Sequence, residues 1–287
     1  MIALALFSLL LTAEEGGATD SKNAIAHRRI AKEQHPKLRS RHILVMDERG
    51  RILYTKDPDT AVPIASITKL MTAMVVLDAG VPLDKKIHIR KEDRDLIQLT
   101  GSRLHYGKAT LSRKELLEIA LIASENRAAA ALGRTTFPGG KKAFIAAMNR
   151  KAAALGMAES HFVDPAGLDP RNVASARDLT KMIRAAYRYP VIRAASTTLS
   201  KEVRPYRKLG GLRFHNTNRL LRNKHWHIEL SKTGYINESG RCLVMRARIG
   251  EQPLYIVLLN SYGKLTPFGD SNRLRKWMTG LDRTDKG

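Results

Sequence analysis

Three apolar runs follow one another near the C-terminus: ELSKTGYI (229–236), GRCLVMRARIG (240–250) and PLYIVLLNSYG (253–263). Short glycine-containing turns separate them, so they read as three consecutive strands. A matching pattern lies at the other end of the chain. HILVMDERGRILYTKD (42–57) holds two strand-like runs around a glycine-containing turn, a hairpin. From Ser66 to about residue 190 the pattern is mostly helical. SRKELLEIALIA opens with Ser112 and Glu115 in capping-box spacing. KKAFIAAMNRKAAALGM carries apolar residues at helical spacing. SARDLTKMIRAAYRYP starts with Ser175 as an N-cap and stops before Pro190. SNRLRKWMTGL (271–281) closes the chain as a helix. The order of strands, helices, strands and helix predicts an α/β chain of the α+β type. Its end strands share one antiparallel sheet and the middle forms a helical lobe. A cleft between two lobes is a natural place for a site.

The first residues, MIALALFSLLLTAEEGGATD, hold an apolar run too short to span a bilayer comfortably. It suits the apolar region of a signal peptide, although Met1 runs directly into Ile2 without the usual basic residues. Ala13 and Ala18 are the candidate ends, which sets a leader at 1–18, a polar and basic linker at 19–40, and one domain over 41–287. No other stretch is long and apolar enough for a membrane anchor. Cys242 is the only cysteine, which excludes an intrachain disulfide and zinc–thiolate sites; its apolar neighbours make it a core residue.

With 50 Lys and Arg against 27 Asp and Glu, the chain carries a formal charge of +23. That favours a polyanionic partner: nucleic acid, an anionic membrane surface or an anionic wall polymer. Nucleic acid has the charge in its favour and no motif, since an RNP1-type aromatic block and a Cys/His zinc spacing are both missing. HNTNRLLRNKHWH, with His215, His225 and His227, reads as a solvated basic loop rather than a metal or nucleic-acid site. On charge alone, a non-catalytic polyanion-binding protein is the competing class.

Three short motifs carry chemistry. In PIASITKLMTAMVVLDAG (63–80), Ser66 and Lys69 stand three residues apart at the start of an apolar helix and share one face. Ser66 reads as a helix cap or as a nucleophile whose proton Lys69 removes. The second role needs a neutral lysine, which burial and a neighbouring cation both favour. The spacing recurs at Ser261–Lys264, after a strand and across Gly263; lacking helical geometry, that copy is expected outside the cleft. In ASENRAAAA, Ser124 and Asn126 fall between two helical runs, where a loop can turn both side chains into a cleft. A serine can relay a proton, and an asparagine both donates and accepts hydrogen bonds. In SKTGY, Lys232 offers a cation for a carboxylate and Thr233 a hydroxyl, and Gly234 leaves room for a substrate backbone at the strand edge.

S-x-x-K, S-x-N and K-T-G in this order, on helix start, loop and strand, form the motif set of serine penicillin-recognising enzymes. The chain resembles the low-molecular-mass penicillin-binding proteins, specifically the D-alanyl-D-alanine endopeptidase branch, from about residue 40 to about residue 280. VPIASITKLMTAMVVLDA, ASENRAAA, ARDLTK and CLVMR carry the likeness. The resemblance implies a β-lactamase/transpeptidase-like fold and a hydrolase needing no metal or organic cofactor. It implies Ser66 as nucleophile, Lys69 as base and Ser124 as proton relay. Asn126, Lys232, Thr233 and Gly234 would bind substrate, and the backbone N–H groups of Ser66 and Tyr235 would form an oxyanion hole. It further implies a periplasmic enzyme of a Gram-negative bacterium, with peptidoglycan cross-links as substrate and β-lactams as acylating inhibitors. D,D-carboxypeptidase activity is the alternative at the same site. A class A β-lactamase needs a deacylating glutamate in an E-x-x-L-N setting; ESHFVDPAGLDP has Glu159 without that spacing, and Asp164 and Gly167 read as turn residues.

Overall fold

The computed structural model describes residues 35–208 and 210–284. The leader expected at 1–18 and most of the 19–40 segment lie outside the described residues. The strands are β1 (His42–Asp47), β2 (Ile52–Lys56), β3 (Val62–Pro63), β4 (Lys86–His88), β5 (Thr110–Ser112), β6 (Val173–Ala174), β7 (Ser200–Val203), β8 (Leu212–His215), β9 (His227–Ile236), β10 (Gly240–Ile249) and β11 (Gln252–Ser261). The α-helices are α1 (Thr68–Asp78), α2 (Arg113–Ile122), α3 (Asn126–Thr135), α4 (Gly140–Ala154), α5 (Ala176–Ala186), α6 (Pro190–Thr197) and α7 (Thr266–Thr284).

The central sheet has the order β2-β1-β11-β10-β9, with every pairing antiparallel. The end strands therefore share one sheet, as the sequence predicts. Both faces are covered. Leu243, Met245, Ala247 and Ile249 of β10 pack with Leu274 and Met278 of α7. Cys242 and Val244 face the larger core, built on α1, α2, α3 and α5. A strand buried on both sides is apolar at consecutive positions, which is why β10 and β11 read as continuous rather than alternating runs. No helix among the described residues is long and apolar enough to cross a membrane.

The capping box at Ser112–Glu115 is formed: the Ser112 hydroxyl accepts from Glu115 N at 3.1 Å, and Glu115 Oε2 accepts from Ser112 N at 2.7 Å. Ser175 caps α5 by accepting from Asp178 N at 3.1 Å. Pro190 then opens α6 as its first residue, where the missing N–H costs nothing. The helical block also holds short strand pairs that periodicity does not reveal, β3–β6 and β4–β5. The last helix starts at Thr266, before the expected Ser271, because Pro267 is tolerated in a first turn. The end of the expected linker is already part of the fold. Leu38 and Ser40 are buried, and the Arg39 and Ser40 N–H groups donate to Asp270 of α7.

Candidate active site

Ser66 sits in a 3-10 turn, Ala65–Ile67, that runs directly into α1. It is not the helix cap: Ile67 holds that position, and no side chain caps either segment. The Ser66 hydroxyl instead lies 2.7 Å from Lys69 Nζ. The turn leans on β9 at Gly234. A Cβ there would fall 2.8 Å from the Ile64 carbonyl oxygen and 3.2 Å from Ser66 N. Glycine is therefore required at 234 so that the Ser66 turn can dock against the strand; the space foreseen for a substrate backbone is filled by the protein itself.

Lys69 is 1% exposed. Its ammonium donates to Ser66 Oγ, to Asn126 Oδ1 at 2.8 Å and to the Ala166 carbonyl at 2.6 Å. Burial pushes its pKa down to about 8, against the opposing pull of Asp164, Glu125 and Asp95. When the amine loses its proton, two N–H groups remain. The Asn126 oxygen and the Ala166 carbonyl can only accept, so they hold those two and turn the lone pair toward Ser66.

The asparagine is oriented in turn. Asp95 accepts from the Thr100 hydroxyl at 2.7 Å, which uses that hydroxyl's one hydrogen. The Thr100 oxygen is left as an acceptor for Asn126 Nδ2 at 2.8 Å, so Asn126 must present its oxygen to Lys69. Burial acts to raise the Asp95 carboxyl, but hydrogen bonds from Thr100, Ile97 and Gln98 outweigh it and hold it below the usual carboxylate range.

The carbonyl on the other side of Lys69 is fixed by Asp164. Its carboxylate accepts from the backbone N–H groups of Ala166, Gly167, Leu168 and Asp169 at 2.6–3.1 Å. Asp164 and Gly167 are thus turn residues, as read from the sequence. Gly167 has φ +76°, and a Cβ there would overlap the Ala65 carbonyl. Glu159 is exposed and does not line the site.

Ser124 lies in the α2–α3 loop with φ +60°. Its hydroxyl accepts from Lys232 Nζ at 2.9 Å. Lys232 is 1% exposed, and burial together with the charge of Lys69 lowers its pKa well below the usual lysine value. Thr233 donates to Thr217 Oγ1 at 2.6 Å. Between Ser124 and Asn126, the buried Glu125 caps α3 through Ala128 N at 2.6 Å and accepts from the Ser102 hydroxyl. Burial raises its pKa.

Ser66, Ser124, Asn126, Thr233, Gly234 and Tyr235 line one cavity of about 410 Å³, with Lys69 and Lys232 buried behind it. All the residues singled out in the three motifs converge there. Sequence reasoning missed the Ala166 carbonyl, Thr100, Asp95, Glu125 and Thr217; only D-P-A-G at 164–167 carried a signal, as a turn. Of the second S-x-x-K pair, Ser261 is buried against Ser40 at 2.7 Å, away from the cavity. Lys264, against expectation, lines the cavity wall. The basic segment 215–227 is also more than a solvated loop, since Thr217 and Arg219 line the same cavity. His215, His225 and His227 are exposed, and no metal-binding cluster of His, Cys, Asp or Glu occurs among the described residues. Cys242 borders the cavity as a buried thiol whose pKa burial pushes up to about 11, so it is protonated and unreactive.

The arrangement is a hydroxyl beside an amine that can be neutral near physiological pH, a second hydroxyl against a second amine, and an edge strand to hold an extended ligand. It is equipped for acyl transfer. Residues 29–263 match the family described as D-alanyl-D-alanine carboxypeptidase. Over 242 residues the chain is 48% identical to the D-alanyl-D-alanine endopeptidase of Pseudomonas aeruginosa, covering 84% of this chain and 77% of that one. It is 42% identical over 244 residues to the D-alanyl-D-alanine endopeptidase of Escherichia coli, covering 85% and 78%. The crystal structure of the Streptomyces K15 DD-transpeptidase superposes with a TM-score of 0.77 at 28% identity, over 85% of this chain and 98% of that one.

Proposed function

The chain belongs to the D-alanyl-D-alanine carboxypeptidase family of serine peptidases, and from that premise we infer that it is a D-alanyl-D-alanine endopeptidase acting through a Ser66 acyl-enzyme. The observation that carries this reading is the 2.7 Å contact between Ser66 Oγ and a buried lysine with pKa about 8. Ser66 Oγ attacks the carbonyl of a D-alanyl peptide bond as neutral Lys69 takes its proton. The developing oxyanion is met by the N–H groups of Ser66 and Tyr235. As the C–N bond breaks, Ser124 passes a proton to the leaving amine, drawn from the Lys69–Lys232 side of the site. Asn126 holds Lys69 and the substrate amide. Lys232 and Thr233 bind the carboxylate next to the scissile bond, and its charge draws Lys232 toward its protonated form. Water then attacks the ester and frees Ser66.

The bond cut is the D-alanyl–meso-diaminopimelyl cross-link of peptidoglycan. A β-lactam presents a strained amide and a carboxylate to the same groups and acylates Ser66. An enzyme of this kind works outside the cytoplasm, and a periplasmic location follows if residues 1–18 are a leader.

Fluorescent penicillin tests the chemistry: it should label the protein, and Ser66→Ala should abolish labelling. Digestion of defined muropeptides tests the bond. Release of terminal D-alanine alone, with cross-linked dimers left intact, would make the protein a carboxypeptidase instead. Failure of the folded protein to bind penicillin would overturn the acyl-enzyme reading and favour the competing polyanion-binding class.

A further inference from the structure

Side chains alternate along β9. Thr233 and Tyr235 project to one face of the strand, Lys232 and Gly234 to the other, where the Ser66 turn sits. Arg241 of β10 is directly opposite Tyr235 in the ladder and so shares its face. Its guanidinium stacks 3.5 Å over the Tyr235 ring. Arg219 lies two residues past Thr217, the hydrogen-bond partner of Thr233. Lys264 follows β11 and completes the wall. Arg219, Arg241 and Lys264 thus gather on the Thr233 side of the cavity, and no Asp or Glu among the described residues lines it.

Arginines without an acidic partner are common on the described surface; what sets Arg219, Arg241 and Lys264 apart is that all three face one cavity. None of these three forms a salt bridge among the described residues. One carboxylate next to the scissile bond is already provided for by Lys232 and Thr233. Three further cations on the same side are surplus to a substrate whose leaving group is a single D-alanine. They match a leaving group that is itself a whole peptide stem, with acidic groups beyond the first.

We propose that Arg219, Arg241 and Lys264 form a second anion subsite on the leaving-group side, which takes the additional carboxylates of the acceptor stem and selects cross-linked over uncross-linked substrate. The inference rests on the peptidase reading above. The ligand is a carboxylate of the acceptor stem, either that of the γ-linked D-glutamate or the C-terminal one, which D-alanine carries in a tetrapeptide stem and the diaminopimelyl residue in a tripeptide stem. Arg241 is braced by Tyr235, so its fork is preorganised for such a group.

The test compares wild type with the double variant Arg219→Gln/Arg241→Gln on a cross-linked muropeptide dimer and on an uncross-linked pentapeptide stem. Lys141→Gln/Arg150→Gln, on the exposed side of α4, removes the same net charge away from the cavity. Penicillin labelling reports that each variant is folded. The double rim variant should lose about tenfold more kcat/KM on the dimer than on the pentapeptide, an effect expected for partly exposed charge-assisted contacts. The α4 variant should show no such preference. Dimers amidated at one carboxylate or the other should be poorer wild-type substrates, and the amide that erases the difference between wild type and rim variant identifies the group held. Equal losses on both substrates, or none, overturn the subsite while leaving the peptidase intact. A wild type that cleaves neither substrate and binds no penicillin removes the reading beneath it.

Discussion

In its proposed role as base Lys69 acts only without its proton, and with a pKa of about 8 roughly a tenth of it is neutral at pH 7. Because the depressed value belongs to a cationic acid, the active form grows as pH rises. The rate constant for penicillin acylation should therefore climb about tenfold per pH unit at low pH and level off above about 8. A profile flat from pH 6 to 9 would remove Lys69 from the role. Thr100 touches neither nucleophile nor substrate pocket, yet it decides which way Asn126 faces. Thr100→Val removes the acceptor for Nδ2 and allows the amide to turn its NH2 toward Lys69. Acylation should slow by about tenfold, a loss on the scale of one hydrogen bond to a charged group. Thr100→Ser should restore the rate, and thermal midpoints of the two variants should stay close, which a merely structural role would not predict. Ser66, Lys69, Ser124, Asn126 and Lys232 were legible as one candidate site because their spacing within short motifs fits the proposed chemistry. Thr100 and the Ala166 carbonyl were not: they reach Asn126 and Lys69 across 26 and 97 residues of chain, and the carbonyl has no side-chain signature.

At the level of elements, the loop from Asp164 to Asn172 is tied together by one buried carboxylate that gathers its backbone donors. Four N–H groups and the Asn172 amide converge on Asp164. Asp164→Ala strands those donors at a cost of about 3 kcal/mol or more. In a domain of this size that lowers the thermal midpoint on the order of 5–10 °C. It also releases the Ala166 carbonyl from Lys69, so acylation should fall with stability. Asp59→Ala breaks an exposed pair with Arg177 and should change stability by no more than about 1 kcal/mol. Equal melting curves for the two variants would show that the loop is held by something other than Asp164. Long elements were readable from periodicity and caps, as Ser112, Glu115 and Ser175 show. The pairs β3–β6, β4–β5 and β7–β8 were not, since strands of two to four residues carry no measurable period and exist only because the fold brings their partners alongside.

Across the whole molecule, positive charge exceeds negative by +23, far more than the site consumes. Such an excess opposes compactness by self-repulsion, and the benefit we propose for it is association with an anionic polymer. Uncross-linked stems of peptidoglycan expose carboxylates along a fixed polymer, and an enzyme held near that surface meets cross-links without dissociating between them. Screening decides whether this account holds. At about 0.15 M salt the Debye length is about 8 Å, so a diffuse surface attraction weakens steeply there, while contacts inside the cleft are less affected. The inactive Ser66→Ala protein, which cannot digest its ligand, should bind purified sacculi at least about tenfold more weakly at high than at low ionic strength. Sacculi whose carboxylates have been converted to amides should bind weakly at both, with the salt dependence gone. Retention that ignores salt would assign wall binding to shape and to the cleft alone, and would leave the charge of this chain without a role in reaching its substrate.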